Sequence, residues 1–417
     1  MNSFTLPGHY FFGYGSLRAL KDLCRGSVLL ITDKPVMERL GHLETLLSIF
    51  KEGGNSCSGI ISIESEPSFE HLKSAVLECR AVKPDTIAAL GGGAVMDTAK
   101  ALRYLLDNEE ISPEEFFEKG IAEGKSEKGG SKAVVLVAVP TTAGTGSEVT
   151  RAAVFSDPVS KAKRLFLSPK LLPDVAVLDP ELTLSLPRSV TAQSGFDAFT
   201  HAVESLLCTL TTPYSRAMAL EAVTRIAGSL PLLMKDGSLK KAREEMLYAS
   251  SMAGIAINNS CTGLAHSLDQ VGAILGLPHG SAMAPLFVPV LRLASSVVPG
   301  IFRDLDQAVA AGLADQRDNP FSRLYPGDKN PAELFGEGSA KNSLPAAVRF
   351  IRFTEELIEV LGLPTSYSAL GIDKTLYIQT AESVIPGALN SFATKVFPAP
   401  VEEEKLFSLL IEAYAGK

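Results

Sequence analysis

At 417 residues the chain exceeds what one hydrophobic core usually serves and predicts two domains. Hydrophobic residues at 46% and charged residues at 21% give the balance of a folded globular protein and exclude a disordered or fibrous one. The net charge of −8, with lysines and arginines scattered, argues against the concentrated basic face of a nucleic-acid groove and leaves small molecules as the expected partners.

Residues 1–14 hold no basic start followed by an unbroken apolar run, and no stretch of about 18 consecutive apolar residues follows, so neither a secretory leader nor a membrane span is expected. The run Ser27–Thr32, rich in leucine and β-branched residues and ending at Asp33, predicts a strand buried on both faces. Residues 36–50 and 69–80 carry apolar side chains at helical spacing, and a second buried strand at 86–90 runs into Gly91, Gly92 and Gly93. A third apolar run at 133–139 stops at Pro140 and enters a threonine- and glycine-rich loop, and a fourth, Val175–Leu178, ends at Asp179 and Pro180. Strands alternating with helices predict an α/β domain built on a doubly wound sheet. From Pro187 onward the pattern turns long and helical, at 192–207, 214–234 and 242–258, so an all-α C-terminal domain is expected. Residues 316–344, rich in Asn, Pro, Gly, Asp and Lys, read as a long surface loop or insertion. The five cysteines, Cys24, Cys57, Cys79, Cys208 and Cys261, are scattered without a CxxC pair, which argues against a disulfide framework or a thiolate metal site and predicts a reducing, cytoplasmic setting.

The glycine triplet lies between a strand and the first turns of a helix at 94–100. Amides at such a helix start carry the positive end of the dipole and glycine lets a pyrophosphate approach closely, although an ordinary tight turn has the same composition. Thr141, Thr142, Gly144, Thr145, Gly146 and Ser147 follow another strand end, where ligands gather in open α/β sheets and small hydroxyls can meet ribose, phosphate or nicotinamide. Asp33 stands where an acid commonly bonds the adenosine ribose hydroxyls and repels a 2′-phosphate, which favours NAD over NADP; a helix cap is the alternative use of such an aspartate. Asp197 and His201, four apart in a helical pattern, share one face. His266 follows Gly263 in a helix-like segment, and His279 sits in the turn Leu277-Pro278-His279-Gly280. Three imidazoles and one carboxylate suit Fe(II) or Zn(II) with open positions, whereas any one of the six histidines taken alone reads as a structural residue.

Seven segments, FGYGS at 12–16, GGGAVMDTAK at 91–100, PTTAGTGSEVT at 140–150, PDVAVLDP at 173–180, GFDAFTHAVE at 195–204, GLAH at 263–266 and PHG at 278–280, follow one another in an order that resembles the iron-containing alcohol dehydrogenase family over nearly the whole chain. The resemblance implies a dehydroquinate synthase-like architecture: an α/β domain at 1–183 that binds a nicotinamide dinucleotide, and a helical metal-binding and substrate domain at 184–417. It implies Asp197, His201, His266 and His279 as ligands of Fe2+, with Zn2+ the alternative. Gly91, Gly92, Gly93, Asp97, Thr141, Thr142 and Lys163 are implied as cofactor contacts, and Asp33 matches the position where NAD-using members carry an acid. A homodimer or larger homo-oligomer is also implied. Two departures stand out. One turn after His266, where members commonly carry a further histidine near the nicotinamide, this segment is a residue shorter and offers Asp269 or Gln270, so Asp269 is the candidate proton relay. Phe397-Pro398-Ala399 replaces the usual Asn-Pro-Arg near the C-terminus.

The expected activity is hydride transfer between NAD(H), or alternatively NADP(H), and a primary or small polar alcohol or aldehyde, assisted by the metal. A polyol or hydroxy-acid dehydrogenase, a sugar-cyclising enzyme of the same fold, and a nucleotide-binding relative without catalysis are the alternatives. The last would keep the glycine turn and lose metal ligands.

Overall fold

The computed structural model describes residues 3–121, 134–157, 163–314, 316, 319–325 and 345–416, which divide into two compact units, Met1–Ser185 and Leu186–Lys417. In the first unit the strands β1 (His9–Phe12), β2 (Ser27–Thr32), β3 (Ser56–Ser62), β4 (Thr86–Gly91), β5 (Val135–Pro140) and β8 (Val175–Leu178) form one parallel sheet in the order β1-β8-β5-β4-β2-β3. The inner strands are unbroken apolar runs because both of their faces are covered. Val28, Leu30, Ala88, Leu90, Val137 and Val139 point into one core with Leu20 of the short α1 (Leu20–Leu23), Met37 of α2 (Lys34–Arg39) and Phe50 of α3 (His42–Glu52). Their neighbours Leu29, Ile31, Ile87, Ala89, Leu136 and Ala138 point into the other, against Leu72 and Val76 of α4 (Phe69–Val82), Met96 and Leu102 of α5 (Gly93–Asp107) and Phe116 of α6 (Pro113–Lys119).

This doubly wound arrangement fixes where a ligand sits. The chain leaves β2 through α2 and α3 over one face toward β3, and leaves β4 through α5 over the other face toward β5. The two connections diverge, so a crevice opens at the C-terminal ends of β2 and β4, between Asp33 and the glycine turn. The helical pattern at 36–50 is two helices, because Gly41 adopts φ 71° and ends the first of them. An antiparallel pair absent from the sequence reading, β6 (Ala152–Ser156) and β7 (Lys163–Leu167), lies beyond the threonine loop. Its inward residues Phe155 and Phe166 are buried, with Phe166 stacked on Phe116 at 4.5 Å, whereas Leu165 and Leu167 are exposed. The start of the run predicted at 133–139 lies outside the described residues.

Every regular element described in the second unit is a helix or a 3-10 turn. The longer ones are α7 (Arg188–Leu206), α8 (Pro213–Lys235), α9 (Lys240–Asn258), α12 (His279–Val297), α13 (Pro299–Leu313), α14 (Ala346–Leu361), α15 (Lys374–Asn390) and α17 (Glu403–Ala415); α10 (Leu264–Leu268), α11 (Gln270–Ile274) and α16 (Phe392–Lys395) are single turns or little more. Phe199 of α7 packs among Phe196, Phe287, Phe350 and Phe353, which draws α12 and α14 onto it. Helices α8 and α12 are long and apolar enough to cross a membrane by length and composition, and 61% of each apolar window is buried inside the fold, as core helices of a helical domain are. Most of the insertion predicted at 316–344 lies outside the described residues, but its first part is packed rather than a surface loop. There Asn319 Nδ2 donates to Ala227 O at 3.2 Å, Phe321 meets the ring of Phe353 at 4.8 Å, and Tyr325 donates to Asp306 at 2.7 Å.

Candidate functional site

In the first unit, β4 delivers the glycine turn and β5 delivers the threonine loop side by side, and Thr141 N donates to Gly91 O at 3.0 Å. The closeness explains the glycines. A Cβ on Gly91 would come within 2.5 Å of Val95, one on Gly93 within 2.9 Å of Thr145, and one on Gly92 within 3.4 Å of Thr142 Oγ1. Gly92 caps α5 without a side-chain bond, so the first-turn amides of a 15-residue helix face outward with the positive end of its dipole. Asp33 caps α2, its Oδ1 accepting from Val36 N at 3.2 Å, while the carboxylate stays half-buried at the mouth of the crevice. Thr141 is buried, Thr142 is half-buried, and Lys163 opens β7 opposite Ser156.

Asp97 lies one turn into α5 and turns both oxygens inward: Oδ1 accepts from Ser147 Oγ at 2.7 Å and Oδ2 from Val154 N at 2.9 Å. One turn further, Lys100 is fully buried and donates to Ser147 Oγ at 2.6 Å, Ala152 O at 2.7 Å and Thr150 Oγ1 at 3.1 Å. Burial pushes its ammonium below the ordinary lysine value, opposed by the nearby carboxylates of Asp97 and Glu148. The sequence reading assigned Lys100 no role.

The second cluster is built on one face of α7, where Asp197, His201 and Glu204 follow at intervals of four and three. His266 comes from α10 and His279 is the first residue of α12, turned in after Pro278. Three ring nitrogens converge on one carboxylate oxygen: from Asp197 Oδ1, the Nε2 atoms of His279, His201 and His266 lie at 3.2, 3.6 and 3.6 Å. Ligating atoms of Asp197, His201 and His266 lie within 4.8 Å of one another, and the rings of His201 and His266 stack at 4.7 Å. Asp197 Oδ1 and His266 Nε2 are buried and make no hydrogen bond, an arrangement that is costly in a protein interior and that a cation between them would relieve. One carboxylate with three imidazoles is a donor set suited to Fe(II) or Zn(II), so the residues fit such an ion.

Electrostatics inside the cluster are steep. Burial raises the Asp197 carboxyl, but the surrounding imidazoles of His201, His279 and His266 outweigh it and hold the group well below the carboxylate range. Burial pushes His201 down to about 4, which leaves a neutral ring with a lone pair. Burial also opposes protonation of His266, yet Glu204 and Asp197 carry it up to about 10.

Two further carboxylates stand behind the imidazoles. Glu204, wholly buried, accepts from Gly263 N at 2.8 Å and Ala265 N at 2.7 Å, and its Oε2 lies 2.5 Å from His266 Nδ1. Asp269 Oδ2 lies 2.9 Å from His279 Nδ1. Asp269, the candidate proton relay, is therefore placed at the back of an imidazole with its side chain 5% exposed, a geometry that orients a ring rather than one that faces reacting atoms. Glu204 was missed, although its seven-residue interval from Asp197 puts it on the same helix face.

Known proteins resemble this chain in sequence and fold. The sequence model of the iron-containing alcohol dehydrogenases matches residues 7–180, and that of the family's C-terminal region matches residues 191–323. An NADPH-dependent butanol dehydrogenase of Clostridium saccharobutylicum is 35% identical over 290 residues, covering 69% of this chain and 73% of its own. The 1-propanol dehydrogenase PduQ of Salmonella typhimurium is 28% identical over 99% of this chain and 100% of its own. Among solved structures, the iron-containing alcohol dehydrogenase of Thermococcus thioreducens superposes with a TM-score of 0.81 at 28% identity, over 100% of both chains. With both halves matched in order and the glycine turn and histidine cluster in place, the chain belongs to the iron-containing alcohol dehydrogenase family, oxidoreductases that act on alcohols with NAD(P).

Proposed function

We propose that this chain moves hydride between NAD(H) and a primary or small polar alcohol or its aldehyde, with Asp197, His201, His266 and His279 holding a divalent iron. The observation that carries this reading is the convergence of three imidazole Nε2 atoms on Asp197 Oδ1 at 3.2–3.6 Å, with two of the facing atoms lacking any hydrogen bond. Such an ion, or zinc in the same donor set, supplies Lewis-acid polarisation of the substrate oxygen, and the nicotinamide supplies the hydride site. In the first unit the amides at the start of α5 hold the pyrophosphate, and Gly91, Gly92 and Gly93 keep its approach open. Thr141, Thr142 and Lys163 add contacts from the loop and hairpin, whereas Asp97 acts from within by holding Ser147 and Val154. Asp33 has acceptor capacity left beside its capping bond, takes the ribose hydroxyls and disfavours a 2′-phosphate. This sets the chain apart from the butanol dehydrogenase whose name specifies NADPH. A cytoplasmic homodimer or larger homo-oligomer completes the reading, supported by the edge strand β1, whose Phe12 is 64% exposed.

The test is NADH oxidation against a panel of short and hydroxylated aldehydes after reconstitution with Fe(II) or Zn(II), beside His266→Ala. Metal-dependent turnover that disappears in the variant is the expected result. No turnover by a chain that binds both metal and NADH would sink the dehydrogenase reading.

A further inference from the structure

We propose that Lys100 is a positioning residue for the cofactor: its buried ammonium pegs the loop after β5 to the helix that starts at the glycine turn, and so sets the shape of the dinucleotide cradle. The inference rests on the reading of that cradle given above and extends it to a residue that touches no cofactor. An ammonium has three donors, and Lys100 spends all three on a single stretch of chain, at Ser147 Oγ, Thr150 Oγ1 and Ala152 O. Asp97, one turn earlier on the same helix, accepts from Ser147 Oγ and from Val154 N, so α5 grips the stretch 147–154 at four residues by five hydrogen bonds from two side chains.

The grip matters because the stretch begins where the cradle ends. Gly146, at φ 61°, turns the chain out of the Thr/Gly loop directly into the 3-10 turn Ser147–Val149. Upstream of it, Thr142 and Thr145 lie so close to Gly92 and Gly93 that a Cβ would meet them at 3.4 and 2.9 Å. Releasing Ser147 frees the downstream end of the loop, whose upstream end is tied to the glycine turn by the Thr141 N to Gly91 O bond, and lets Thr142 and Thr145 drift from the glycines. A buried lysine whose only task was to fill space would be replaced by a leucine or methionine at far lower desolvation cost; three matched acceptors in one loop give the charge a directional purpose.

The experiment compares the unsubstituted chain with Lys100→Met and with Ser147→Ala/Thr150→Val, which keeps the lysine and removes two of its acceptors together with the Ser147 bond to Asp97. NADH binding is followed by fluorescence, metal content by elemental analysis, and amide hydrogen exchange is read across residues 141–150. The expected result is a rise of about tenfold in the NADH Kd and KM, equivalent to about 1.4 kcal/mol, with kcat at saturating NADH and the metal content within about twofold. Faster exchange at 141–150 accompanies it. A general loss of structure would instead lower kcat and metal content together. If Lys100→Met fails to fold, the double variant decides alone. NADH binding within about twofold in a folded variant overturns the proposal, at 1.4 kcal/mol per tenfold. Failure of the unsubstituted chain to bind NADH overturns the cradle reading itself and this proposal with it.

Discussion

Replacing Glu204 by glutamine tests the architecture behind the histidine cluster with one atom changed. The carboxylate serves three donors with two oxygens, Gly263 N and His266 Nδ1 at Oε2 and Ala265 N at Oε1. Glutamine has one oxygen. If that oxygen takes the place of Oε2, the new amide N–H faces Ala265 N–H, donor against donor. If it takes the place of Oε1, the amide faces Gly263 N–H and offers a proton to His266 Nδ1, which drives the ring proton to Nε2, the atom that faces Asp197. Either orientation loses a hydrogen bond to a charged acceptor, worth about 1.5–3 kcal/mol, and the second also blocks the nitrogen a metal needs. Fe(II) or Zn(II) affinity should fall about 10–100-fold, which is about 1.4–2.7 kcal/mol. Equilibrium dialysis against chelator-buffered metal measures it without turnover, and a thermal scan of the metal-free chain reports the backbone part of the loss. Asp269→Asn, acting on His279, should lose less than about tenfold, because that ring keeps 29% of its side-chain surface exposed and is less dependent on a protein partner. Metal affinity within about twofold of the parent in Glu204→Gln, itself worth under about 0.5 kcal/mol, would refute the reasoning.

Gly91→Ala places a methyl 2.5 Å from Val95 in the first turn of α5, so the helix start must shift; a stability loss of about 1–3 kcal/mol by urea unfolding and weakened NADH binding are expected together. Asp33→Ala removes the α2 cap, with about 1 kcal/mol of stability, and should lower the ratio of NADP(H) to NAD(H) KM values; an unchanged ratio would reduce Asp33 to a cap alone. Stripping metal with a chelator should lower Tm reversibly, since free metal at 100 times its Kd contributes about 2.7 kcal/mol to the folded state. An unshifted Tm after proven metal uptake would argue against a site formed by folding.

What the sequence made legible follows from how each signal arises. The central strands were visible because burial on both faces leaves uninterrupted apolar runs, and Ser27–Thr32 and Val175–Leu178 are strands within the predicted bounds. The edge strands β1 and β3 and the β6–β7 pair were not, because they are short or polar and because exposed positions such as Phe12, Leu165 and Leu167 are apolar, which hides the inward–outward alternation. Gly41 divided a helical pattern whose apolar spacing continues across the break. Within the candidate site, Asp197, His201, His266 and His279 stood out because the chain has only six histidines and the first two residues share a helix face. Glu204 and Lys100 did not, since glutamate and lysine are common and their spacing alone does not say which will be buried. Asp269 was noticed for standing where a histidine was expected, and composition could not say that it would face the back of His279.

The two unmarked residues obey one rule. Burying an unpaired charge costs several kcal/mol, a cost recovered only where each of its hydrogen-bonding positions meets a fixed partner. Lys100 meets this with three acceptors in 147–152, and Glu204 with two amides and an imidazole in 263–266. In each case hydrogen-bond partners come from a separate stretch of chain, the 3-10 turn and start of β6 for Lys100 and the start of α10 for Glu204, so that stretch cannot relax without stranding the charge. A Cβ on Gly263 would come within 2.7 Å of Glu204 Oε1, and one on Gly93 within 2.9 Å of Thr145, so the backbone has been brought as close as glycine permits in both places. A neutral residue at either position would leave the facing stretch free to settle by packing alone, to within the tolerance of apolar contacts, whereas hydrogen bonds weaken steeply with angle. The charges thus fix the facing backbone more narrowly than hydrophobic packing does, which is the tolerance that holding a dinucleotide or aiming an imidazole demands.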